Sequence, residues 1–185
     1  PYELISKSFT NWKGMSEAGA RRIKRFINID MKSVKFCTPE MLKTFSRIKL
    51  IENYIDEKTK EVEAFNKSHN WDLTNPVNGI RLTNIGVFRK YLETYLMDHP
   101  MIQKDMTLLV RQLQPTDAGI PIEVYVFVNN TAWVVYENVQ SDIFDHILAI
   151  VPEFELRVFQ SPSGDDFKYI GTKISTSDNF QNHTV

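Results

Sequence analysis

The sequence predicts an α+β fold with elements in the order β-α-β-β-α-β and a helical pair inserted after the first strand. Three observations carry this reading. Two-residue alternation marks strands near 22–30 and 122–129, and helical spacing of apolar residues marks 85–98 and 138–151. Turn chemistry at Pro115-Thr116-Asp117-Ala118-Gly119 joins two strand-length runs.

The first predicted strand places Ile23, Ile27 and Ile29 on one face, interrupted by Arg25, with Phe26 on the other. Thr38-Pro39-Glu40 is a helix start: Thr38 can cap, Pro39 suits a position whose N–H has no partner, and Glu40 faces the positive end of the dipole. Met41, Leu42, Phe45 and Ile48 form its apolar stripe. A second helix comes next, with Ile51, Tyr54, Ile55, Val62 and Phe65 on one face and a solvated charged face opposite. The pair, over 38–66, is expected to pack on the outside of the domain through Phe45, Ile51, Tyr54, Ile55 and Phe65. Residues 66–79 read as loop.

In the helix predicted over 85–98, Ile85, Phe88, Leu92, Tyr95 and Leu96 recur on one side before His99-Pro100 ends it. Residues 106–113 and 122–129 should pair as a hairpin, with Ile122, Val124, Val126 and Val128 facing one way and Glu123, Tyr125, Phe127 and Asn129 the other. A helix over 138–151 and a last strand over 154–159 complete the set. In this order the split β-α-β, or ferredoxin-like, topology has both crossover helices on one face of a mainly antiparallel sheet.

Three segments are expected: 1–20 as the end of a small β domain, 21–162 as the ferredoxin-like domain with its insertion at 38–80, and 163–185 as a polar, disordered tail. The chain opens at Pro1-Tyr2-Glu3 without an initiator methionine, which is expected of a fragment. No run reaches the roughly 18 to 20 apolar residues that span a bilayer.

The composition excludes more than it names. The formal net charge of -1 gives no global attraction to nucleic acid or acidic lipid, and the single cysteine, Cys37, rules out an internal disulfide and suits a reducing compartment. Neither a nucleophile elbow nor a glycine-rich phosphate loop is present. Asp142, Asp145 and His146 lie within one helical turn, a spacing that can hold a divalent ion, but the two carboxylates equally suit the start of a helix. No catalytic residue, cofactor or metal is therefore expected. A ferredoxin-like order also fits a free-standing regulatory or RNA-binding module in which Tyr125 and Phe127 stack bases. Their strand lacks the basic and glycine positions of the usual RNA-binding signature, and Arg21, Arg22, Lys24 and Arg25 read as flanking a strand, so no nucleic-acid partner is expected.

Five blocks in fixed order carry a resemblance: Tyr2-Glu3-Leu4-Ile5-Ser6-Lys7-Ser8-Phe9, Arg21-Arg22-Ile23-Lys24-Arg25, Phe36-Cys37-Thr38-Pro39-Glu40, 106–113 and 140–146. Together they resemble the miniconductance, YbdG-like branch of the MscS mechanosensitive channel family, over about residues 2 to 164. The resemblance implies the cytoplasmic vestibule of a bacterial inner-membrane channel that opens under tension and releases solutes on hypo-osmotic shock. It implies a homo-oligomer, heptameric in the family, anchored by N-terminal membrane helices that this sequence lacks. Residues 2–20 would end a β layer below the pore, where Leu4, Ile5, Phe9 and Trp12 would make subunit or pore-proximal contacts. The helical pair at 38–66 departs from the shorter family members.

Overall fold

A computed structural model describes residues 19–161. The segment holding Leu4, Ile5, Phe9 and Trp12 and the tail from Pro162 lie outside the described residues.

Strand β1 (Arg21–Ile29) buries Ile23, Ile27 and Ile29 on one face, as the alternation predicts. Arg25, on that same face, lays its guanidinium 4.5 Å from the centre of the Phe144 ring, so the apparent interruption is a cation resting on an aromatic. Helix α1 (Pro39–Phe45) starts as read: Thr38 Oγ1 accepts from Met41 N at 3.3 Å, and Pro39 occupies the first turn. Helix α2 (Glu52–Ser68) carries Asn66 in its last turn, whose carboxamide accepts from Ile80 N at 2.8 Å and donates to Ile80 O at 2.9 Å, closing the intervening loop.

The helical pair packs on the rest of the domain through its apolar stripe. Phe45, Ile51 and Ile55 are fully buried in the main apolar cluster, and the Phe45 ring lies 5.3 Å from that of Phe154. Phe65 alone of the predicted buried set is exposed, at 41%. The packing expected of Phe45, Ile51, Tyr54 and Ile55 is thus present, and Phe65 does not join it.

Helix α3 (Asn84–Asp98) is capped by Thr83, which accepts from Gly86 N at 3.2 Å, and it buries Phe88, Leu92 and Leu96. Strand β2 (Leu109–Gln112) is shorter than the predicted 106–113. The same edge is touched earlier by Ile102, bridged to Val128, and the chain loops out between the two contacts. Strand β3 (Ile120–Val128) lies between β1 and β2 and is antiparallel to both, so the hairpin and the split β-α-β are present. Gly119, at φ +92°, makes the turn into β3; a Cβ there would run into the Ile29 carbonyl.

Helix α4 (Trp133–Ile150) begins five residues before the predicted 138. Its start has no side-chain cap, and Trp133-Val134-Val135 is a poor helix-forming run, so local sequence gave no signal. Val139, Ile143 and Ile147 join Phe88, Leu92 and Leu96 over the β1 and β3 isoleucines and valines, which places both helices against one sheet face.

The predicted strand over 154–159 is not formed as such: a 3-10 turn (Val151–Phe154) runs into its first residue, after which Glu155 takes a left-handed φ of 52°. That turn sends Phe154 into the core, 5.3 Å from the rings of Phe45, Phe88 and Tyr91. What remains of the strand is a bridge between Val158 and Ile29, flanked by Asp30 N donating to Arg157 O and Phe159 N to Asn28 O, each at 2.8 Å. Its position on the outer side of β1 is that of the fourth strand in the ferredoxin-like order. Among the described residues no helix is long and apolar enough to cross a membrane.

Candidate interaction surface

The register of β1, β3 and β2 assigns every side chain to one of two faces. Isoleucines and valines fill the face under α3 and α4. The other carries Arg22, Lys24 and Phe26 from β1, Glu123, Tyr125 and Phe127 from β3, and Leu109 and Arg111 from β2. Neither crossover helix covers it. Glu123 is 3% exposed there, and its carboxylate accepts from Arg111 Nε at 2.7 Å across the hairpin. The Arg111 contact gives this buried carboxylate a partner and joins β2 to β3 at the centre of the face.

Around that pair the aromatics are packed, not splayed. Tyr125 and Phe127 meet edge to face with centroids 5.6 Å apart, and Phe127 is buried. Arg22 stands 5.7 Å over Tyr125. This packing favours the reading of the two aromatics as a contact layer over that of base-stacking platforms. Phe26, at 55% exposure, and Leu109, at 39%, remain open to solvent.

The basic cluster seen in the sequence is divided by the strand's alternation. Arg22 and Lys24 point to the uncovered face, while Arg21 and Arg25 turn toward α4. Arg21 lies 4.2 Å from the Trp133 ring centre and 4.6 Å from that of Tyr136. The Tyr136 hydroxyl donates to the Arg22 carbonyl at 2.9 Å, and burial, then Glu137, pushes its pKa up, keeping it a donor. Sequence reading missed this seam because its two halves lie more than a hundred residues apart.

The Asp142, Asp145 and His146 set does not form an ion site: among the described residues no group of three His, Cys, Asp or Glu side chains is arranged to hold a metal. His146 instead stacks on Tyr95, with centroids 4.3 Å apart, and its Nε2 lies 3.0 Å from the Tyr91 hydroxyl. His99 meets Tyr95 edge-on at 5.8 Å. Burial holds both histidines below their ordinary pKa, with Asp142 opposing the effect at His99.

Residues 82–158 match the family described as mechanosensitive ion channel MscS, C-terminal. Over that stretch the chain is similar to the C-terminal domain of that family. The match runs from just before α3 through β2, β3 and α4 to the bridge at Val158, the stretch that builds most of the sheet and both covering helices.

Proposed function

We propose that the chain is the cytoplasmic vestibule region of a tension-gated channel of the MscS family, in its miniconductance, YbdG-like branch. The observation that carries the reading is the family match over 82–158, coincident with a ferredoxin-like arrangement of the same elements. On this reading residues 21–162 form a cage wall with an insertion at 38–80, residues 1–20 end a β layer, and Leu4, Ile5, Phe9 and Trp12 contact neighbouring subunits. The assembly is a closed homo-oligomeric ring, heptameric by resemblance, at the bacterial inner membrane with this region on the cytoplasmic side. Its task is solute release on hypo-osmotic shock, without catalysis.

The test joins this region to its membrane-spanning part. Full-length protein reconstituted in liposomes should pass current when suction is applied to an excised patch, and should sediment in detergent as a ring of several subunits. A stable monomer, or a patch that stays silent up to the tension that ruptures it, would overturn the reading.

A further inference from the structure

A cavity of about 250 Å³ lies between α2 and the start of α3. Tyr54, Val62, Leu82 and Val87 give it an apolar wall, and Lys58, Glu61 and Arg81 are its charged groups. It is open to solvent beside Ile80, which is 43% exposed. A dry apolar cavity of about 150 Å³ already takes up benzene, so this one has room for a single ring and a small polar head.

The charges in the wall do not cancel. Lys58 Nζ meets the Glu61 carboxylate at 2.6 Å, so these two neutralise each other. Arg81 has no carboxylate within ion-pair distance among the described residues. Its Nη2 donates to the Leu73 carbonyl at 2.8 Å, which holds the guanidinium in place. Its Nε is shut off from solvent and has no hydrogen-bond partner among the described residues. A shielded N–H without an acceptor costs free energy, and an anionic oxygen inside the cavity would supply that acceptor in a charge-assisted bond.

Helix α3 adds to the same field. Its N-terminal end reaches the cavity through Thr83 and Gly86, and no acidic residue stands in its first turn to offset the positive end of its dipole. A cation entering here would meet Arg81 and this dipole end, while Glu61 is already taken by Lys58.

We propose that this cavity binds a small monocarboxylate with a compact apolar body. The carboxylate accepts from Arg81 Nε, and the body lies against Tyr54, Val62, Leu82 and Val87. Because α2 belongs to the inserted pair, the ligand clasps the insertion to a helix that covers the sheet.

Phenylacetate is the probe, titrated into the whole 185-residue chain and followed by amide chemical shifts. Binding should saturate with a Kd of about 1 mM, the range open to so small a ligand, and the shifts should centre on 54–62 and 80–87. 2-Phenylethylamine, which carries the same ring and the opposite charge, should bind at least about tenfold more weakly. Arg81→Gln should weaken phenylacetate by at least about tenfold. Since Arg81 also holds the Leu73 carbonyl, a second variant leaves that bond alone: Val62→Phe fills the cavity from α2 and should abolish binding while circular dichroism shows the fold retained. No saturation up to about 20 mM, or shifts centred elsewhere, would overturn the proposal. So would equal affinity for the amine, or binding indifferent to both variants.

Discussion

Asn84 Nδ2 donates to the Ser33 carbonyl at 2.9 Å across 51 positions of sequence, with the Asn84 side chain completely buried. Its Oδ1 accepts from Lys35 N at 3.0 Å, and its own N–H donates back to the Lys35 carbonyl at 3.1 Å. One carboxamide therefore ties the segment after β1 to the start of α3. Asn84→Ala should destabilise the fold by about 2 to 3 kcal/mol, since several buried backbone groups lose their partner at once. Urea unfolding would show it; Lys49→Ala, at an exposed i,i+3 pair, should stay within about 0.5 kcal/mol. Equal effects would contradict the role given to Asn84.

The helical pair gives a second contrast. Phe45→Ala removes a ring packed on Phe154 and should cost about 3 to 5 kcal/mol, while Phe65→Ala on the exposed end of α2 should cost well under 1 kcal/mol. Calorimetric unfolding of both variants separates a core element from an appended one.

Two glycines with left-handed backbone should respond differently to alanine. At Gly19, φ +63°, nothing among the described residues lies near an added Cβ, and the loss should be about 1 kcal/mol from backbone strain. At Gly119 the methyl also meets the Ile29 carbonyl, so the loss should exceed about 2 kcal/mol. Thermal denaturation of the two variants decides whether the β3 turn is locked against the end of β1.

Acidification should loosen the seam between α3 and α4. Burial depresses His146 and His99 below the unfolded value of 6.5, so the unfolded chain binds protons more readily. Stability is then complete above 6.5 and falls as the pH drops from there through the lower folded values. The groups around the pair are Tyr91 and Tyr95 of α3, with Asp142 of α4 opposing the shift at His99. The urea midpoint of the wild type should fall more between about pH 7.5 and about pH 5.5 than that of a His99→Gln, His146→Gln double variant. Parallel falls would remove the histidines as the cause.

Cys37 should be a slow nucleophile. Burial, reinforced by Glu155 and partly opposed by Lys35, pushes its thiol up to about 11. Alkylation by iodoacetamide near neutral pH should therefore run at least about tenfold slower in the folded chain than in urea, because the thiolate is the reacting form. Equal rates would show the thiol to be open and unshifted.

Much of this fold was legible because local and tertiary preferences agree. Thr38-Pro39 capped as read, the alternation of 122–128 matched the two sheet faces, and the turn at 115–119 joined β2 to β3. The failures share a cause. At 133–137 and 152–156 the chain's course is set by distant partners, Arg21 under Trp133 and the three rings around Phe154. Periodicity over a short window carries no trace of such partners. The candidate surface was half visible: Tyr125, Phe127 and the basic cluster stood out, but only the strand register shows that Arg22 and Lys24 part company with Arg21 and Arg25.

The outer edge of β1 is taken by the Val158 bridge at one end and by the Tyr136 hydroxyl at the other. Between them, among the described residues, the backbone groups of Lys24 and Phe26 have no partner on that edge, and the opposite edge, β2, is four residues long and carries Arg111. Such short, charged edges offer too few donors and acceptors to seed strand addition. Copies of this domain can thus be crowded side by side without their sheet edges joining into cross-β aggregates.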